Sequence, residues 1–231
     1  MPHVPKLVIL DCDGVLVDSE TISVAVLVDF VRKAGTEIGD EQAYRLFLGR
    51  SMAAVEDALR SEFGLRLSAA QIGGIRAETY MRFRRELKPM PGVVEALSRL
   101  KARRCVASSS SLERIRLSLD LTGLLEMLSP HIYSASMVTR GKPAPDLFLH
   151  AANAMGVRPE DCVVVEDSPA GIDAARRAGM RVFAFTGGSH AGHAALERAL
   201  EKLRPDRIFS DMRMLPGLVA EPLSKAGGRA G

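Results

Sequence analysis

The sequence predicts an α/β fold, a parallel-sheet core interrupted by an all-helical insert. Three observations carry this expectation. Short runs rich in Val and Ile recur along the chain with little apolar/polar alternation, as strands buried on both faces do. Amphipathic stretches separate these runs, and strand–helix–strand order builds a parallel sheet with right-handed crossovers. Residues 18–88 break the alternation: they carry helical patterning throughout and no strand pattern.

The first strand is Leu7–Leu10. The insert follows as four helices, Ser19–Ala34 ending at Gly35, Asp40–Phe47, Ala53–Phe63 ending at Gly64, and Ser68–Leu87 stopping before Pro89. Glycines just past a helix and a proline beyond it are stop signals, and Ser68 with Gln71 reads as a capping box. The core resumes with helix Val93–Lys101 and strand Cys105–Ala107. Helix Leu112–Leu121, strand His131–Ser134, helix Pro145–Met155 and strand Cys162–Val165 come next. Helix Ala170–Ala178, strand Val182–Phe185, helix Ala191–Leu203 and strand Arg207–Phe209 complete the series. The expected domains are therefore a core of residues 1–17 and 89–225, an insert of 18–88, and a disordered Gly/Ala tail at 226–231.

Composition narrows the function classes. The chain has 231 residues, 47% of them apolar and 26% charged, which is ordinary for a globular protein with a sizeable core. A net charge of +3 is too mild to point to nucleic acid. The cluster Arg82, Arg84 and Arg85 reads as a solvated helix face. No apolar run reaches the roughly 18 residues of a membrane span, and the N-terminal residues do not read as a signal peptide. Cys12, Cys105 and Cys162 lack metal-ligand spacing and fit buried reduced thiols of a cytoplasmic protein. A monomer is the default expectation.

Four strand ends carry polar groups. In Leu7-Val-Ile-Leu-Asp11-Cys-Asp13-Gly14 a strand delivers two carboxylates into a glycine. Past the strand end both can turn toward one cavity. Two close carboxylates repel unless a cation or proton sits between them, so the pair points to a metal, an acid/base pair, or both. The second strand ends in Val106-Ala-Ser-Ser-Ser-Ser111, where Ser110 or Ser111 is expected to cap the next helix. Lys142 lies in Arg140-Gly-Lys-Pro-Ala-Pro-Asp146, after the third strand. The fourth runs into Glu166-Asp167-Ser-Pro-Ala-Gly171. A parallel sheet gathers such ends at one edge, where ligands bind.

This ordered set of four motifs resembles the haloacid dehalogenase superfamily of phosphotransferases. More narrowly it is similar to the branch with a helical cap after the first motif, which includes β-phosphoglucomutase, phosphoglycolate phosphatase and 6-phosphogluconate phosphatase. The resemblance implies a Rossmann-like core, a cap over its carboxyl end, and a phosphomonoester as substrate. It implies Asp11 as nucleophile and Asp13 as general acid and base. It also implies Mg²⁺ held by Asp11, the Asp13 backbone carbonyl and Asp167, with Glu166 as an alternate or outer ligand. Ser108, Ser109 and Lys142 would bind the phosphoryl group, and Glu20, Gly49 and Arg50 are the cap-side substrate candidates.

Two other readings compete. Mutases of this branch carry a His soon after the second Asp. Here Gly-Val-Leu-Val-Asp-Ser-Glu-Thr-Ile-Ser follows Asp13, which favours hydrolysis over a β-phosphoglucomutase-like reaction. Receiver-type binding modules also combine acids, a hydroxyl and a Lys around Mg²⁺. They lack the helical insert and an acid two residues after the phosphorylated one. Asp18 is expected to be structural at the hinge into the insert. His190 and His193 are expected to sit around a helix start without binding metal, and Cys12 to pack away from the site.

Overall fold

The computed structural model describes residues 4–191, 199–200 and 202–221. Its centre is a six-stranded parallel sheet in the order β3-β2-β1-β4-β5-β6. The strands are β1 (Leu7–Leu10), β2 (Arg103–Ser108), β3 (Ile132–Ser134), β4 (Cys162–Glu166), β5 (Arg181–Phe185) and β6 (Arg207–Phe209). Most of the expected helix between β5 and β6 lies outside the described residues, as do His193 and the tail.

Both faces of the sheet are covered, which explains the missing alternation. On one face Val8, Leu10, Val106, Val163, Val165 and Phe183 pack against α5 (Val93–Arg99) and α6 (Leu112–Leu121). On the other, Leu7, Ile9, Cys105, Val164, Val182 and Ala184 meet α8 (Asp146–Ala154) and α9 (Pro169–Arg177). A four-residue helix, α7 (Leu125–Leu128), precedes β3. It is too short to leave a periodic pattern in the sequence.

Four helices lie between β1 and α5: α1 (Glu20–Lys33), α2 (Asp40–Phe47), α3 (Met52–Phe63) and α4 (Ala69–Glu86). They hold their own apolar cluster, built on residues such as Val24, Leu27, Val31, Phe47, Leu59 and Ile75. Local signals set their ends. The Ser68–Gln71 capping box forms in full, and Gly64 closes α3 in the left-handed region at φ +66°, a conformation glycine adopts without a Cβ penalty. Arg82 differs from its expected solvated role. It bonds Asp29 of α1 at 2.6 Å and Glu78 at 2.9 Å, bracing α4 against α1.

The chain enters and leaves this helical layer through paired segments. Asp18 N–H donates to the Lys88 carbonyl at 3.0 Å, and Met90 N–H to the Leu16 carbonyl at 2.9 Å. The layer thereby stands on two adjacent strands of backbone at the carboxyl end of β1.

Candidate active site

Asp11 continues the β1 ladder by donating its N–H to the Val165 carbonyl at 3.0 Å. The chain then turns at Gly14, with φ +80°. A Cβ on Gly14 would lie 1.9 Å from Asp167 Oδ2, so glycine is required both for the turn and for the approach of Asp167. The turn sends the two carboxylates into different surroundings.

Lys142 anchors the Asp11 side. Its Nζ lies 2.7 Å from Asp11 Oδ1, 2.6 Å from Glu166 Oε1 and 3.2 Å from the Ala107 carbonyl. The ammonium also sits 4.8 Å from the Phe148 ring centre. Burial alone lowers a lysine pKa, but the Asp11 and Glu166 carboxylates outweigh it and raise that of Lys142. Lys142 is therefore a fixed positive charge.

Asp13 is held by a different set. Arg114 Nη2 lies 2.7 Å from Asp13 Oδ1, Ser19 Oγ donates to the same oxygen at 2.6 Å, and Ser110 Oγ donates to Oδ2 at 2.6 Å. Ser108 Oγ is 3.4 Å from Oδ2 and accepts the Ser110 N–H at 3.1 Å. Burial pushes the Asp13 pKa up, yet Arg114 and the hydroxyls win and hold it below the ordinary value. Two carboxylates two residues apart thus have environments that push their pKa values apart, the arrangement that divides roles between paired acids. Cys12, between them, is buried in the sheet core.

A cation fits on the Asp11 side. Ligand oxygens of Asp11, Glu166 and Asp167 lie within 4.8 Å of one another, and Lys142 is the ammonium that faces them. Burial and mutual repulsion push the pKa of Asp11 and of Asp167 well above ordinary values. Such a cluster takes up protons or a hard cation with oxygen ligands. Glu166 is already engaged: Oε1 faces Lys142, and Oε2 accepts from Ser168 N–H at 2.8 Å and Ser168 Oγ at 2.9 Å. Gly171 passes so close that a Cβ there would meet this carboxylate at 1.9 Å. Among the described residues, the nitrogen-bearing side chain closest to the Asp167 carboxylate is His190, with Nε2 2.8 Å from Oδ2.

The remaining candidates line one cavity of about 280 Å³ between the sheet edge and the helical layer. Ser108, Ser109 and Lys142 form its sheet side, while Glu20, Gly49 and Arg50 approach from the helices. Glu20 is buried, and Oε2 accepts the Gly49 N–H at 3.1 Å. Burial, with Asp13 and Asp167 nearby, pushes its pKa up to about 7. Gly49 takes φ +65°, and a Cβ there would press on Ser168 Cβ at 3.0 Å, so its glycine lets the α2–α3 loop touch the core. Ser111, not Ser110, caps α6, accepting the Arg114 N–H at 3.3 Å. Asp18 accepts from Ser189 N–H and Oγ at 3.2 and 2.8 Å.

Sequence reasoning gave no place in the site to Arg114, Ser19 and Arg76, and considered His190 only as a residue around a helix start. A signal for Arg114 existed. A cap at Ser111 puts position 114 in the first turn of α6, at the carboxyl end of the sheet. There its guanidinium meets Asp13, bonds Ser23 Oγ of α1 at 3.0 Å, and lies 5.0 Å from the Phe83 ring centre of α4. Arg76, from α4, also lines the cavity.

Comparison with known proteins agrees with this geometry. The family model of haloacid dehalogenase-like hydrolases matches residues 5–179. The chain is 33% identical over 186 residues to 6-phosphogluconate phosphatase of Escherichia coli (strain K12), covering 80% of this chain and 84% of that protein. It is 29% identical to a phosphorylated carbohydrates phosphatase of Thermotoga maritima, over 90% of this chain and 98% of that one. A solved haloacid dehalogenase-like protein of unknown function from Agrobacterium tumefaciens superposes with a TM-score of 0.81 at 41% identity, covering 93% and 97% of the two chains. The chain belongs to the haloacid dehalogenase-like hydrolases and is a phosphoric monoester hydrolase.

Proposed function

We propose that the enzyme is a Mg²⁺-dependent phosphatase of small phosphorylated sugars or sugar acids, working through an aspartyl-phosphate on Asp11. The observation that supports this best is the divided environment of the two acids: Asp11 against Lys142, Asp13 against Arg114 and hydroxyls, both opening into one cavity. In the first half-reaction an Asp11 carboxylate oxygen attacks phosphorus and the bond to the leaving oxygen breaks. Asp13 gives that oxygen its proton. In the second half, water attacks phosphorus, Asp13 takes the water's proton, and the Asp11–phosphorus bond breaks to release inorganic phosphate.

Arg114 and the serines hold Asp13 in its charged form, which suits the water-activating half. For the first half, Arg114 and Ser110 must hand the carboxylate over to a protonated encounter with the substrate. Ser108, the Ser109 N–H and Lys142 bind the phosphoryl oxygens. Asp11, Asp167 and the Asp13 carbonyl would hold Mg²⁺, since the Asp13 side chain is taken by Arg114 and Ser19. Bound Mg²⁺ would supply positive charge against the phosphoryl oxygens. Glu166 orients Lys142 and Ser168.

The insert of residues 18–88 serves as a cap, with the paired segments around Asp18 and Lys88 as its hinge. Arg50 and Arg76 line the cavity on its helical side. Guanidinium groups bind carboxylates in bidentate fashion, which favours a sugar-acid phosphate. The 6-phosphogluconate phosphatase among the relatives supports the same class. The buried free thiols suit a reducing, cytoplasmic setting.

The test is phosphate release, with and without Mg²⁺, from a panel of sugar phosphates, sugar-acid phosphates and hexose 1-phosphates. Mg²⁺-dependent release led by acid substrates is expected. No release from any member, or isomer conversion of a hexose 1-phosphate in its place, would overturn the phosphatase reading.

A further inference from the structure

His190 is 1% exposed, and neither ring nitrogen has a hydrogen-bonding partner among the described residues. Leaving a buried polar group unsatisfied is costly, so such a group in a native site calls for a physical reason. The backbone on either side of the ring is held in place. Ser189, its neighbour, is tied to Asp18 by two hydrogen bonds, and the Ala191 N–H donates to the Gly188 carbonyl at 3.0 Å. Two glycines clear space for it. A Cβ on Gly14 would lie 2.9 Å from His190 Cε1, and one on Gly188 would lie 2.4 Å from Cε1 and 2.6 Å from Nδ1.

The space so cleared brings Nε2 to 2.8 Å from Asp167 Oδ2, close enough for a bond but without the alignment of one. Among the described residues Asp167 has no other side chain to orient it, whereas Lys142 bonds Asp11, and Asp13 and Glu166 are each fixed by two or more groups. We propose that His190 is the positioning residue of Asp167, donating from Nε2 to hold its carboxylate in the orientation that binds the divalent cation. The residue touches neither substrate nor cation. The proposal rests on the reading of Asp167 as a Mg²⁺ ligand. Partners behind a ligand carry affinity of their own, and their loss costs about 10- to 100-fold in metal binding.

The experiment is calorimetric titration of the full chain with MgCl₂ alone, without substrate. His190→Leu keeps bulk and removes the donor. His190→Gln can place an amide N–H where Nε2 stands, while His190→Asn reaches only the Nδ1 position. The expected result is a Mg²⁺ dissociation constant raised about 10- to 100-fold in the Leu and Asn variants and within about threefold of wild type in Gln. kcat at saturating Mg²⁺ should stay near wild type in all three. A folded Leu variant with wild-type affinity would overturn the proposal. If Leu does not fold, the Gln/Asn pair decides, and equal affinities in those two would overturn it. Wild-type protein that binds no Mg²⁺ would overturn both this proposal and the metal reading beneath it, whereas wild-type binding with indifferent variants removes only the role of His190.

Discussion

The two ends of the cavity are built on different terms. At the sheet end most of the charged groups hold one another: Lys142 bridges Asp11 and Glu166, and Arg114 and two serines grip Asp13. At the helical end, Arg50 is exposed and bonds the Arg45 carbonyl at 3.5 Å, and Arg76 lies 3.8 Å from Glu113, beside apolar residues such as Leu27, Phe47 and Val55. Fixed dipoles and charges cost no reorganisation when a transition state forms, so the sheet end is set for one chemistry. The helical end holds its charges loosely, and under the proposed function a few contacts there would decide specificity.

The sharpest way to break this contrast is at Asp11. Asp11→Asn removes the proposed nucleophile and nearly preserves shape, and should lower phosphate release by about 10³-fold or more, as loss of a nucleophile does elsewhere. Residual activity near wild type in a steady-state assay would show that the sheet end does not work as described.

Glu20 joins the two ends, and its effect is on stability. Its pKa is about 7 in the folded chain against an ordinary 4.5, so the folded state holds the proton more tightly. The sign follows: this contribution is complete below the unfolded pKa and is lost as pH rises through about 7. The loss amounts to ~3 kcal/mol. Glu20→Gln should remove this decline. Urea unfolding in chelator across that pH window checks it, and an unchanged slope in the variant would assign the decline elsewhere.

Arg114 tests whether the grip on Asp13 matters. Arg114→Gln should lower kcat about 10- to 100-fold, more than it raises KM, and should shift the acidic limb of the pH–rate profile upward as Asp13 loses its cation. A pure KM effect would place Arg114 with the substrate-reading groups. Smallest of all, Arg76→Ala should raise KM for sugar-acid phosphates about tenfold and leave neutral sugar phosphates within about twofold. Equal losses on both classes would remove the charge-reading role.

Most of the sheet was legible because each strand is a local signal: β1 spans the expected Leu7–Leu10, and the other strands differ from expectation by at most two residues per end. The four polar strand ends were legible for the same reason, since parallel strands place their ends together. Among residues that reach the cavity from helices and loops, Glu20, Gly49, Arg50 and Lys142 were named from sequence, but others were not. Arg114 needs the α6 register, and His190 needs the path of the loop after β5, which folds Gly188 against Gly14. Ser19 stands beside the conspicuous Asp13 motif, but its bond depends on the turn at Gly14. The role of Glu166 was open in sequence because ligand and orienting carboxylate look alike until Lys142 and Ser168 are seen on it.

The central claim is that Asp11 carries the phosphoryl group. Enzyme quenched in acid during turnover and mapped by peptide mass spectrometry tests it directly. The expected result is a phosphoryl adduct on the peptide bearing Asp11, absent from Asp11→Asn. Phosphate release continuing in Asp11→Asn, with no adduct at Asp11 in wild type, would contradict it.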